Sequence, residues 1–226
     1  IEMKIDEQSY PVKNTTPDAL LLQKNFQHMK EAGVSTVTME VSSHALDLGR
    51  VHGSDYDIAV FTNLSQDHLD FHETMDNYLF AKSLLFSQLG NTYDTNRPKF
   101  AIINQDDPNS EFLKRASAQP ILTYGINTTS TFQANNINYG STGVSFDLQT
   151  PEGSFPINSH LMGQFSVYNM LAAATSAYAL GIPLQTIQKA LQQMESVKGR
   201  FQPIANTKEI GVIVDYAHTS DSLSNV

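Results

Sequence analysis

The sequence predicts an α/β fold: a mostly parallel sheet flanked by helices, with a small antiparallel β subdomain attached. Three observations predict it. Strand-like and helix-like segments alternate through the first half, and that alternation favours parallel pairing with helices on the sheet faces. The stretch from about 121 to 158 changes to short β-rich runs split by Gly and Asn. The composition, 226 residues with 40% hydrophobic and 16% charged side chains, suits a chain that buries a sizeable core.

The elements follow in order. IEMKIDEQSYPV alternates apolar and polar residues and reads as a hairpin. Thr16-Pro17 reads as a helix start, with Thr16 as N-cap and Pro17 at the first helical position. Ala19, Leu22, Phe26 and Met29 fall on one face of that helix, and Gly33 ends it. Strands are predicted over 34–41 (VSTVTMEV), 56–62 (YDIAVFT) and 99–103 (KFAII), with helices over 74–89 and 107–116. The β-rich runs are ILTYGI, TFQANNINYG, GVSFDLQ and GSFPINSH. Helical periodicity returns over 165–180, apolar nearly all round, which predicts a buried helix. A further helix carries Leu184, Ile187, Leu191 and Met194 on one face. EIGVIVDY reads as a last strand. The chain then stops inside what reads as the start of a helix, so a piece of a longer protein is expected.

Composition also excludes. With no cysteine there is no disulfide scaffold, thiolate metal site or cysteine nucleophile, and a cytoplasmic location is expected. A formal net charge of -9 argues against nucleic acid or an anionic membrane surface as partner. No apolar run approaches the ~20 residues that cross a bilayer.

In open α/β sheets, ligands bind beyond the carboxyl ends of the strands. Four predicted strands end in polar groups: at Glu40 before Ser42, Ser43 and His44; at Asn63 before LSQDHLDFH; at Asn104 before Gln-Asp-Asp; and at Asp215 before Tyr-Ala-His. Such residues commonly cap turns and helices. Their recurrence at four strand ends points instead to a shared crevice. Asp67, His68, Asp70 and His72 fall within six residues, and four of the seven histidines lie between 44 and 72. His68 and His72 would share a helix face, but a zinc-protease motif needs Glu where Leu69 stands. Carboxylates with imidazole suit Mg²⁺ or Mn²⁺ better than Zn²⁺. The same residues also read as a solvated, capped loop.

Lys82 stands out. The predicted helix 74–89 has an apolar stripe of Met75, Tyr78, Leu85 and Leu89, flanked by Leu79 and Phe86, and position 82 is at its centre. Burial disfavours a charged amine and lowers its pKa. Either the stem snorkels to water, or the lysine is functional, pairing with a phosphate or carboxylate or reacting as a neutral amine. Neither GxxxxGK[ST] nor GxGxxG occurs, so the crevice has no nucleotide loop of its own.

NTTPDAL, MEVSSHAL, TNLSQDHLDFH, AKSLLFSQLG, HLMGQFSVYN, GRF and VDYAHTSDSL resemble, in that order, the central domain of the Mur ligase family. The NTTP segment favours the branch that adds the third residue of the peptidoglycan stem peptide. The resemblance covers essentially the whole chain and implies an ATP-dependent amide ligase. ATP phosphorylates the free carboxylate of UDP-N-acetylmuramoyl-L-alanyl-D-glutamate, and the amine of meso-diaminopimelate or L-lysine attacks the acyl phosphate. It further implies Mg²⁺ held by Glu40 and His68, with Lys82 carbamylated to N6-carboxylysine as a further metal ligand. Glu40, His68 and Lys82 are thereby the candidate catalytic residues. Asn14, Thr15, Thr16, Ser42 and Arg50 match substrate-binding positions. Asn169, Arg200 and Asp215 match contacts to adenine, phosphate and ribose, and His218 sits beside them. Asp70 and His72 read as structural, fixing the loop that follows the metal ligand. Ser220 stands where the motif usually has Pro, and Leu48 where some relatives carry a polar contact.

The family's phosphate loop and uridine-binding domain are expected before Ile1. A linker or amino-acid-selecting domain is expected after about 218. The chain alone is expected to be inactive and monomeric. Two other readings remain open on the residues: a metal-dependent hydrolase built on Glu40, His68, Asp70 and His72, and a non-catalytic sugar-nucleotide binding module.

Overall fold

The computed structural model describes residues 2–90, 98–195, 197–204, 210–218 and 222–223. Strands β1 (Glu2–Ile5) and β2 (Gln8–Pro11) form the expected antiparallel hairpin, turning at Asp6 in the left-handed region (φ 51). Helix α1 (Ala19–Glu31) begins later than predicted. Its N-cap is Asp18, whose carboxylate accepts from the Leu21 amide at 3.0 Å. Thr16 is not the cap. It is fully buried, and its hydroxyl donates to the Glu40 carbonyl and accepts from the Ser42 amide, each at 2.9 Å. A side chain that reaches across the chain to a tertiary partner is unavailable to cap its own helix.

The predicted strand 34–41 is extended but joins no ladder. Residues 35–38 are exposed, and a cavity of about 1060 Å³ lies between this segment and the edge strand β3 (Ile58–Phe61). Strand propensity without a neighbouring backbone at hydrogen-bonding distance produces no strand. Short helices α2 (Ser43–Asp47) and α3 (Leu69–His72) fall on either side of β3 in the chain. Helix α4 (Met75–Ser87) starts at Thr74, whose hydroxyl accepts from the Asn77 amide at 3.1 Å.

β3, β4 (Phe100–Asn104), β5 (Ile121–Gly125) and β6 (Phe132–Gly140) pair in parallel, in that order. β7 (Gly143–Thr150) and β8 (Gly153–Ser159) extend the same sheet antiparallel. The β-rich stretch is therefore hydrogen-bonded into the six-stranded sheet, and its first strand belongs to the parallel half. A register shift between Asn135 and Asn138, with Asn136 at φ 53, bends β6 where pairing changes direction.

Helix α5 (Ser110–Ala116) follows β4, and α6 (Gln164–Ala179) packs on β3 to β6. Val167, Leu171 and Ala174 of α6 are fully buried against Ile102, Phe132 and Leu148. Burying each Val or Leu contributes about 1.5–3 kcal/mol, so α6 is anchored as the sequence predicted. Helix α7 (Leu184–Gln193) buries Leu184, Ile187 and Leu191, while Met194 lies past its end and is exposed. The predicted last strand shortens to β10 (Ile213–Val214), which pairs antiparallel with β9 (Gln202–Pro203) in a separate ribbon. Its exposed residues do not join the main sheet. Ser220 and most of the predicted C-terminal helix start lie outside the described residues.

Candidate active site

The carboxyl end of β3 opens onto two neighbouring cavities, both of which Thr62 and Asn63 line. The first brings together Thr15, Glu40, Ser42, His68 and Lys82. Three features hold these residues. The Thr16 hydroxyl ties the 40–42 turn to the N-terminal segment. Ser42 caps α2, its hydroxyl accepting from the Ala45 amide at 3.2 Å. His68 takes a left-handed conformation (φ 55, ψ 24), uncommon for a residue with a β-carbon, and its amide donates to Asp67 at 2.7 Å. Asn14 is exposed and does not line the cavity. Arg50 Nη1 donates to the Thr16 carbonyl at 3.3 Å, which anchors it beside the same segment.

Lys82 projects from α4 into this cavity, its ammonium 4.9 Å from the centre of the Tyr78 ring. Among the described residues no hydrogen bond or ion pair reaches that ammonium. Burial lowers its pKa, and the nearby charge of Asp67 only partly opposes this. Of the predicted stripe, Tyr78, Phe86 and Leu89 are buried, with Ala81 beside them. Lys82 thus sits at the border between core and cavity.

Among the described residues, no group of three or more His, Asp or Glu side chains is gathered to hold a metal. Glu40, His68, Asp70 and His72 therefore do not assemble into the set that a hydrolase would need. Asp70 is exposed, and His72 is 5% exposed with Nε2 hydrogen-bonded to Ser43 Oγ at 2.8 Å. His44 lies against His68 and Phe71, with ring centres 4.9 and 4.2 Å away. Burial lowers the His44 pKa and the charge of His68 adds to it; burial likewise lowers that of His72. Glu40 and His68 supply two donors for a hard cation, and an anionic oxygen on Lys82 would supply a third, so the residues fit a Mg²⁺ site of that composition.

The second cavity, about 690 Å³, brings together Asn169, Arg200 and Asp215 with Asn104 and Tyr168. His218 is not among its lining residues; its ring hydrogen-bonds the Tyr216 carbonyl at 2.9 Å. The Asp215 carboxylate accepts from the amides of Phe201 (2.6 Å) and Ala217 (2.7 Å). The Arg200 guanidinium lies 5.4 Å from the centre of the exposed Tyr216 ring. The wall is built by residues that sequence reasoning passed over. Asp106 accepts from the amides of Ile126 (2.6 Å), Asn127 (3.0 Å) and Thr128 (2.8 Å) and from the Tyr168 hydroxyl (2.9 Å). Burial pushes the Asp106 pKa up, but these hydrogen bonds outweigh it and hold the carboxyl below its usual range. The only sequence signal was the Gln-Asp-Asp run after β4; nothing local linked it to Tyr168.

A mostly parallel sheet whose strand ends open onto two adjoining crevices, each carrying a few converging polar side chains, is the arrangement of an α/β ligand-binding domain. The comparisons name the family. The Mur ligase middle domain matches residues 1–177. The UDP-N-acetylmuramoyl-L-alanyl-D-glutamate–2,6-diaminopimelate ligase of Oceanobacillus iheyensis is 55% identical over 226 residues, covering 100% of this chain and 46% of that protein. A solved UDP-N-acetylmuramoyl-L-alanyl-D-glutamate–2,6-diaminopimelate ligase superposes with a TM-score of 0.79 at 35% identity, over 95% of this chain and 44% of its own. A MurF ligase of Thermotoga maritima, solved in complex with ADP, shares the fold (TM-score 0.65, 17% identity, 81% of this chain and 40% of that one). This chain belongs to the Mur ligase family. It spans about half the length of the curated relatives it matches.

Proposed function

We propose that this chain is the central domain of an ATP-dependent amide ligase that joins meso-diaminopimelate to UDP-N-acetylmuramoyl-L-alanyl-D-glutamate. The observation that carries this reading is the half-buried Lys82 ammonium, which makes no hydrogen bond or ion pair among the described residues and shares one cavity with Glu40, His68 and Ser42. The identity to diaminopimelate ligases along the entire chain supports the choice of amino acid. The reaction gathers a nucleotide triphosphate, a carboxylate and an acyl phosphate, so its main need is positive charge held in place.

The residues then divide the work. Ser42, with Thr15 and Thr16 behind it, orients the sugar-nucleotide peptide; Asn14 and Arg50 flank it. Asn169, Arg200 and Asp215 hold adenine, phosphate and ribose in the second cavity, with His218 at its margin. Asp215 keeps lone pairs beyond its two amide bonds to accept ribose hydroxyls. Glu40, His68 and carbamylated Lys82 would hold Mg²⁺, which when bound neutralises charge on the phosphates. A neutral Lys82 amine is the form that takes up CO₂, and burial favours it.

The test is ligation by the parent protein with each amino acid. ADP release that requires both the UDP-peptide and meso-diaminopimelate, and at least about 100-fold lower kcat/KM with L-lysine, is expected. Equal use of both amino acids would reject the specificity. Phosphoester or amide turnover with metal and no ATP would reject the ligase reading.

A further inference from the structure

The three segments that carry the candidate metal residues are separate in sequence: 40–43, 67–72 and 75–82. One buried imidazole, that of His72 in the second segment, contacts both of the others. His72 Nε2 is hydrogen-bonded to Ser43 Oγ at 2.8 Å, and Ser43 itself is only 2% exposed. The His72 carbonyl accepts from Asn77 Nδ2 at 3.0 Å, which pins the first turn of α4, and the His72 side chain adds a second link to that helix. Its ring stacks on Tyr78 (centres 5.1 Å apart, planes 18° apart), and Tyr78 is the ring beneath the Lys82 ammonium. Tyr78 also meets His68 edge-on at 5.8 Å.

We infer that His72 is a positioning residue that locks the turn bearing Glu40, the loop bearing His68 and the helix bearing Lys82 into one register, and so sets the affinity of the metal site. This rests on the metal-bearing ligase reading given above. The physical reason is the weakness of each segment alone. α2 and α3 have 5 and 4 residues, too short to hold their own geometry. His68 also sits in a left-handed conformation that the surroundings must enforce. A planar group with one polar edge and two apolar faces can bond one loop and stack on another element at the same time. Partners that orient metal ligands in this way typically contribute 10- to 100-fold to affinity.

The experiment uses the full-length ligase with His72→Leu, His72→Gln and Ser43→Ala, and the pair His72→Leu/Ser43→Ala. The readouts are Mn²⁺ binding by electron paramagnetic resonance, amide hydrogen exchange over 40–45 and 66–82, and steady-state kinetics. His72→Leu and Ser43→Ala should each weaken Mn²⁺ binding about 10-fold and speed exchange in both segments together. At saturating Mg²⁺, KM for ATP should stay within about 2-fold, because the second cavity is untouched. His72→Gln, which can still bond Ser43, should recover most of the Mn²⁺ affinity. The double variant should be little worse than either single one, since both remove the same link. Folded variants with unchanged Mn²⁺ affinity, or faster exchange in only one segment, would overturn the proposal. If His72→Leu does not fold, Ser43→Ala and His72→Gln carry the same test. Failure of the parent reading would appear differently, as wild-type protein that binds no Mn²⁺.

Discussion

Thr16→Val isolates the device that holds the first cavity together. Valine keeps the shape of threonine but removes its hydroxyl, and at a buried site this is not a neutral exchange. Thr16 is fully buried and makes two hydrogen bonds of 2.9 Å, to the Glu40 carbonyl and from the Ser42 amide. Each bond contributes about 1 kcal/mol net, and a buried partner left unpaired costs about 1–3 kcal/mol. Glu40 is exposed and Ser42 half-buried, so water recovers some of this, and a loss of about 2–3 kcal/mol is expected. For a domain of this size that corresponds to a fall in Tm of roughly 5–10 °C. Thr16→Ser keeps both bonds and loses one methyl group, about 1 kcal/mol. The assay is thermal unfolding of the parent protein, paired with hydrogen exchange at the Ser42 amide, which should speed up in Thr16→Val alone. A Thr16→Val protein within about 0.5 kcal/mol of wild type, with unchanged exchange at Ser42, would refute the reasoning.

Other predictions follow from single groups. Lys82→Met removes a half-buried cation and keeps an apolar side chain, so stability should be unchanged or rise by up to about 1 kcal/mol, while ligation falls by at least about 100-fold. Under the carbamate reading, short carboxylic acids should restore part of the activity of Lys82→Ala; ligation by Lys82→Ala that is unimpaired without them would exclude the carbamate. Asp107 accepts from the Leu64 amide (2.8 Å) and from the amide and Nδ2 of Asn109 (2.8 and 3.0 Å), so Asp107→Ala should destabilise by roughly 2–3 kcal/mol in urea unfolding. Asp106 has a folded pKa below its ordinary 3.8, so below that pH the unfolded chain binds the proton more readily. Its stabilisation is present above the unfolded value and lost as pH falls through the folded one. Asp106→Asn should therefore flatten the acid limb of the stability–pH curve, and an unchanged limb would count against the cradle.

What could be read from the residues divides by the range of the interactions involved. The hairpin, α4, α6 and α7 were legible because local periodicity and a cap or turn agree. Thr74 caps α4 with a bond to Asn77, three residues on. The Thr16 cap was misread because its hydroxyl bonds across 24 residues to Glu40, and no local pattern reports that. The strand over 34–41 was overpredicted for the related reason that propensity does not supply a partner. Within the candidate site, Glu40, His68 and Lys82 stood out as polar groups after predicted strands and as a cation within an apolar stripe, and the family resemblance supplied the roles proposed for them. Asp106 and Tyr168, 62 residues apart, leave no such trace.

The residues alone carried the class of fold, the absence of cysteine chemistry, the oddity of Lys82 and the family resemblance, since each is written in composition, spacing or local pattern. Only the tertiary structure decided that the β-rich stretch continues the main sheet. Only it gathered Glu40, Ser42, His68 and Lys82 into one cavity and Asn169, Arg200 and Asp215 into another, the two meeting at Thr62 and Asn63. It also supplied the partners of His72, giving its ring nitrogen to Ser43 and its face to Tyr78. These outcomes depend on which distant groups satisfy one another on burial. A hydrogen bond or ring stack between segments is decided by their packing, and either residue read alone has several partners open to it.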